Sequence, residues 1–307
     1  MIAGFFKQSN PIVYITLGFL LSLLYLVELL QLNVISQDWL SIILIILKYL
    51  SLLTCFFAFS WALKYFQIQK YHSFAALFFV LFSSFIMPEI VETHLIFGLL
   101  LLEFGLVRLL FVVKKTIPTL YIFEATLLIV LSGLIYQPFM YLLLLIFAGT
   151  LIFLSPQWKL FTSPVLAISA VVVLVQMYHL IWFDTIVYID FFLSQPKFSF
   201  DFSFDSNTVF LASIWGISML LSVYEILKVK QKRALFYKEM ASFFLSFLGL
   251  SLIAFGFTNA TASELWVLSL WPLSIYIAEF FTKIKSLLWS EIMFWSFVGL
   301  AIAFAFI

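Results

Sequence analysis

The sequence predicts an all-α, polytopic transmembrane helical bundle of about eleven spanning helices, N-terminus inside, forming a single integral membrane domain over residues 1–307. Three observations lead there. The chain is 65% hydrophobic and only 10% charged, whereas a soluble domain is about 45–50% apolar and about 25% charged. Its apolar residues fall into runs near the length of about 20 residues that a bilayer core requires. Finally, the basic residues collect at alternate ends of those runs.

In order, the runs are Pro11–Leu30, Trp39–Phe66, Phe74–Glu89, His94–Val113, Pro118–Tyr136, Pro138–Leu154, Pro164–Phe183, Val209–Leu227, Ala241–Phe257, Leu265–Phe281 and Leu288–Ile307. The first is longer than a signal-peptide core and no small-residue cleavage pattern follows it, so it reads as an uncleaved span. Phe74–Glu89 and Pro138–Leu154 are short for a full crossing. With the N-terminus inside, Lys7, Lys64, Lys70, Arg108, Lys114, Lys115, Lys159, Lys228, Lys230, Lys232, Arg233, Lys238, Lys283 and Lys285 all fall on the cytoplasmic side. Lys197 falls in an outer loop and Lys48 inside a span. This is the asymmetry of a plasma-membrane protein, and eleven spans place the C-terminus outside.

Composition also limits function. A net charge of +1 offers no field for nucleic acid. The single cysteine, Cys55, excludes an intramolecular disulfide framework and a cysteine-rich zinc site, and inside an apolar run it reads as a buried thiol. No metal site and no cofactor motif are evident. The bilayer is the one partner that composition demands.

Charges inside spans need partners, because each costs about 2.5–3.5 kcal/mol at the bilayer centre. By helical rise, Lys48 and Glu103 both lie about 13 Å below the outer ends of their runs, and Arg108 and Glu124 lie at about 18–21 Å. Depth therefore pairs Lys48 with Glu103 and Arg108 with Glu124, either to fix helix packing or to form an ion path. A second group gathers at the outer face: Glu28, Asp38, Glu89, Glu92 and His94, with His179 near the outer end of its run. Carboxylates and an imidazole around one cavity would supply a general base or a divalent-cation site. Solvated turn residues are the plainer reading.

The longest outer segment runs from Asp184 to Thr208. In it Phe198, Phe200, Phe202 and Phe204 alternate with Ser199, Asp201, Ser203 and Asp205. Period two predicts an extended ridge that rests on the membrane interface or pairs with a partner. The stretches Ser73–Lys115 and Ala241–Lys285 also share an order: outward span, acidic turn, inward span holding Glu103 or Glu279, then paired lysines.

From Phe74 to Ile181 the pattern is familiar. Ala75-Ala76-Leu77-Phe78-Phe79-Val80-Leu81-Phe82 leads to Pro88 and an acidic outer turn, and a long inward helix ends at Arg108. Leu131-Ser132-Gly133-Leu134-Ile135-Tyr136-Gln137-Pro138 then turns directly into the next span. Residues 73–181 thus resemble the core of the GT-C superfamily, polytopic glycosyltransferases that use lipid-phosphate-linked sugars. The opening Met1–Tyr14, with Asn10-Pro11, resembles an uncharacterised family of bacterial inner-membrane proteins. The GT-C resemblance implies a polyprenyl-phosphate-linked sugar as ligand, catalysis at the outer face by Asp38, Glu89, Glu92 and His94, and phosphate contacts from Gln137 and Arg108. The chain departs from that pattern in three respects. Its first outer loop is short, Gln137 stands where a lysine is usual, and no large outer domain follows.

The expected function is a non-catalytic inner-membrane subunit of an envelope-assembly or secretion complex, bound to other membrane or envelope proteins. A membrane glycosyltransferase and a small-solute or ion transporter are the alternatives. Against transport, the sequence shows no pair of broken helices at matching positions.

Overall fold

The structure, a computed structural model, describes residues 6, 10–32, 39–69, 72–114, 117–154, 157–183, 206–232, 235–257, 262–284 and 287–305. Every regular element among them is helical. In chain order they are α1 (Pro11–Gln31), α2 (Trp39–Tyr65), α3 (Phe74–Ser84), α4 (Met87–Glu92), α5 (Leu95–Phe111), α6 (Pro118–Ile135), a 3-10 segment (Gln137–Leu143) leading into α7 (Leu144–Phe153), α8 (Trp158–Phe183), α9 (Ser206–Lys232), α10 (Leu235–Phe257), α11 (Ala262–Lys283) and α12 (Leu287–Ala305). Among the described residues six helices are long and apolar enough to cross a membrane: α1, α2, α6 and α8 whole, Val209–Lys228 of α9 and Leu235–Phe255 of α10.

The outward faces agree with that reading. On α8 only Leu160, Ser163, Pro164, Ala167 and Val171 are buried, a single narrow stripe. Val165, Leu166, Val173, Leu174, Met177, Ile181 and Trp182 are all exposed. Contiguous apolar surface on this scale is an aggregation liability in water and an ordinary surface in lipid.

Two of the expected runs are not single helices. Phe74–Glu89 is broken: α3 stops at Ser84 and α4 restarts at Met87. Pro88 has no N–H for the carbonyl one turn earlier and disfavours helix in the residue before it. The Ser83 and Ser84 hydroxyls bond back to the Phe79 and Leu81 carbonyls at 2.7 and 2.6 Å, competing with the backbone ladder. The chain turns through two tight bonds, Phe85 N–H to Phe82 O and Ile86 N–H to Ser83 O. Pro138–Leu154 likewise begins as a 3-10 segment and becomes α-helical only at Leu144. The expectation of one continuous span in each of these two runs is therefore corrected: periodicity reports apolar content and misses unwinding.

The break lies at the centre of the molecule. All eleven residues of α3 are buried, with α11, α1, α2 and α12 packed around it. The packing is aromatic. Phe82 and Phe85 lie 4.9 and 4.8 Å from the Trp266 ring, Phe78 contacts Phe281 and Phe297 at 4.9 and 5.5 Å, and Phe79 stacks on Phe59 at 4.7 Å. Such pairs add about 0.5–1.5 kcal/mol each beyond simple burial. The Ser73–Lys115 and Ala241–Lys285 stretches differ here, because α10 is continuous where α3–α4 is broken.

Small residues set the α5–α6 contact. A Cβ at Gly105 would lie 2.9 Å from Ile129 Cγ1 and 3.2 Å from the Ala125 carbonyl oxygen, so glycine lets the two backbones approach. Gly133 is fixed in the same way by the Met140 backbone at 3.1 Å across the tight turn into the 3-10 segment. The C-terminus of α2 ends with Gln67 at φ 55°. Gln67 N–H bonds Lys64 O and Ile68 N–H bonds Leu63 O, a Schellman closure usually made with glycine.

Candidate functional site

Pro272 lies inside the continuous α11, beside the residue that organises the middle of the bundle. Trp271, just before it, donates its indole N–H to Glu103 Oε1 at 3.0 Å, and the Cys55 thiol lies close enough to the same carboxyl group to feel its charge. Glu103 and Cys55 are fully enclosed, Trp271 meets the Phe59 ring edge-on at 5.1 Å, and Glu103 Oε2 has no hydrogen-bond partner. Three helices thus converge on one acid.

Lys48 is not part of that knot. Depth matched it to Glu103, but its Nζ donates to the Val91 carbonyl at 2.6 Å, in the last turn of α4. Equal depth left the direction around the helix unknown. The outcome is physically sound, because a helix C-terminus presents unpaired carbonyls and partial negative charge. Lys48 therefore clamps the short α4 against α2. The second pair of equal depth does meet: Arg108 Nε lies 3.2 Å from Glu124 Oε2, with both side chains partly exposed.

At the outer face, Glu28 at the end of α1 lies close enough to Glu89 and Glu92 on α4 to feel their charge. Glu92 is exposed, and Glu28 and Glu89 are half-buried, so water screens their repulsion. His94 sits at the start of α5, exposed, stacked on Phe97 at 6.3 Å. His179 packs on Phe183 at 5.4 Å. Gln137 is exposed at the start of the 3-10 segment. Among the described residues no group of three His, Cys, Asp or Glu side chains is placed to hold a metal ion. Asp38 and the ridge Phe198–Phe204 lie outside the described residues.

A further network went unread in the sequence. Glu225, buried on α9, pairs with Lys283 of α11, and Lys283 also lies 3.7 Å from Glu279 one turn back. Its signals were Glu225 within an otherwise apolar stretch and the Glu279–Lys283 spacing, a favourable acid-before-base pair.

Long lipid-type faces, a buried aromatic centre and isolated intramembrane polar contacts define a multi-pass helical membrane protein. No family model, no curated protein and no solved structure matches the chain.

Proposed function

We propose that the chain is a non-catalytic, multi-pass subunit of an envelope-assembly or secretion complex. In this reading about eleven segments cross a bacterial inner membrane, the N-terminus is cytoplasmic, and other membrane or envelope proteins are its partners. The observation that carries it is the filled centre. A transporter places its substrate site where broken helices meet near the midplane, and here the rings of Phe78, Phe82, Phe85, Trp266 and Phe281 occupy the surroundings of the broken helix. A close-packed core of this kind has two uses: it is rigid, and it presents fixed outer surfaces to a partner.

A second reading follows from the proximity of Glu28, at the end of α1, to Glu89 and Glu92 on α4. Three carboxylates at the headgroup boundary suit a base acting on a polyprenyl-phosphate-linked sugar, with Asp38 and His94 as further catalytic candidates and Gln137 as the phosphate contact that the GT-C resemblance implies, whereas Arg108, in the layer nearer the inside and 3.2 Å from Glu124, is too deep for that role.

Purification in mild detergent with mass spectrometry separates the two. The subunit reading expects a stoichiometric protein partner, and expects Asp38→Asn, Glu89→Gln and Glu92→Gln to leave function in the native host intact. Co-purified polyprenyl phosphate without a protein partner, together with loss of function in any of those variants at normal abundance, overturns it in favour of glycosyl transfer.

A further inference from the structure

A small cavity lies at one end of the bundle, where α2 ends and α10 begins. Its volume is about 30 Å³. The first turns of α10 contribute Phe236, Tyr237 and Met240, and the last turns of α11 contribute Tyr276 and Glu279. Ile68, just past the end of α2, and Ile275 complete the wall. Met240, Ile275, Tyr276 and Glu279 are buried, whereas Ile68, Phe236 and Tyr237 are half-buried, so the cavity meets the surface on their side.

The wall chemistry selects among guests. Three of its residues are aromatic, one carries a carboxylate, and none carries a cation. Aromatic rings beside a carboxylate are the surroundings that hold organic ammonium groups. Glu279 repels an anion, and a hard metal ion calls for a shell of oxygen ligands that rings and aliphatic chains cannot supply. Glu279 already lies 3.7 Å from Lys283, which is itself paired with Glu225, so its carboxylate is a shared acceptor and the rings supply much of the attraction. Next to the wall, Gln69 donates its amide N–H to the Ile275 carbonyl at 2.8 Å, and its own buried Oε1 has no hydrogen-bond partner. Size narrows the guest further. A water-sized group needs about 10–15 Å³ of such a volume, so the cavity takes about two: an ammonium nitrogen and the methylene behind it. A trimethylammonium group is too large.

We propose that this cavity seats the primary ammonium group of a lipid with an aminoethyl headgroup, held by Glu279 and the rings of Phe236, Tyr237 and Tyr276. Its place in the fold favours a lipid as the source. The segment Leu235–Phe255 of α10 is long and apolar enough to cross a membrane, and Phe236 and Tyr237 stand in its first turn, where the polar headgroup region begins. A lipid lying along α10 therefore carries its amine at the depth of the cavity mouth. Once seated, the headgroup joins α10 to α11 and to the chain that leaves α2. Water is the competing occupant, and it gains nothing from the rings. The inference rests on the membrane reading of the chain and not on the subunit role.

The test uses the full chain in mild detergent, titrated with phosphatidylethanolamine or with phosphatidylcholine of the same acyl chains. Thermal unfolding is followed by tryptophan fluorescence. The expected result is a saturable rise in the midpoint with the ethanolamine lipid, a weaker rise with its N-methyl form, and none of that component with the choline lipid. Glu279→Gln, which keeps the shape and removes the charge, should weaken the apparent affinity for the ethanolamine lipid by about tenfold. Phe236→Leu, at a half-buried position in the first turn of α10, removes one ring, keeps an apolar side chain, and should weaken it in the same direction. Equal responses to the ethanolamine and choline lipids would assign the cavity to water and overturn the proposal. An ethanolamine preference undiminished in both variants would overturn it equally, by placing the preference elsewhere on the surface. A full response to ethanolamine hydrochloride alone would overturn the lipid as the source of the amine.

Discussion

Pro272 should make α11 depend on a hydroxyl from another helix. A proline cannot donate to the carbonyl four residues earlier, which leaves the Leu268 oxygen without its intrahelical partner. In the structure Ser251 Oγ of α10 lies 2.9 Å from Leu268 O and 2.9 Å from Phe247 O in its own helix. A hydroxyl has one proton, and the Phe247 carbonyl also sits in an unbroken helix, so the Leu268 oxygen has the greater need. Ser251 is fully buried, and an unmet buried carbonyl costs about 1–3 kcal/mol. Hydrogen bonds between membrane helices measure lower, about 0.6 kcal/mol on average and about 1.7 at most, because the membrane-inserted unfolded chain also finds partners. Ser251→Ala should therefore cost about 1–2 kcal/mol. Pro272→Ala restores an N–H one turn beyond Leu268, and in that background Ser251→Ala should cost less than about 0.5 kcal/mol. The four proteins, unfolded by a denaturing detergent in mixed micelles and followed by tryptophan fluorescence, give the coupling directly. An equal cost for Ser251→Ala in both backgrounds would refute the argument that the hydroxyl stands in for the missing amide.

Two further perturbations test the packing and the polar contacts. Gly105→Val should destabilise the same unfolding midpoint by about 1–3 kcal/mol, because its Cβ would press on the Ala125 carbonyl, which cannot move aside as a side chain can. Gly249→Ala, at a helical site with open space around it, should be neutral or slightly stabilising. Lys48→Met and Glu103→Gln should each destabilise and should add to within about 0.5 kcal/mol, since Lys48 holds the Val91 carbonyl and Glu103 holds Trp271. A double variant clearly more stable than that sum would show that the two charges meet.

The all-helical character was legible because it rests on composition and run length, which a bilayer constrains tightly. Each of the eleven apolar runs contains helix among its described residues. The broken segments were not legible. Phe74–Glu89 is as apolar as a continuous helix, and its interruption depends on Pro88 acting together with two serines that bond to their own backbone. Neither effect changes hydropathy. Gly133 drew notice as part of a turn that resembles a sugar-transferring core. The structure gives it a sufficient packing reason in the Met140 backbone at 3.1 Å.

The polar contacts divide for a related reason. Depth along the membrane normal follows from counting residues, so charges could be sorted into layers. Azimuth around each helix depends on which neighbours pack against it, and the sequence does not encode that locally. The layer nearer the inside offered Arg108 and Glu124 on α5 and α6, consecutive helices packed closely together, and they meet. The layer nearer the outside matched Lys48 with Glu103, on α2 and α5. There a closer alternative existed for each: the open end of α4 for the lysine, and Trp271 of α11, far away in sequence, for the acid. Glu225 and Lys283 belong to the same class, joined across 58 positions by the parallel packing of α9 and α11. Glu103–Trp271 and Glu225–Lys283 thus join helices distant in the chain, which no local pattern in the sequence announces.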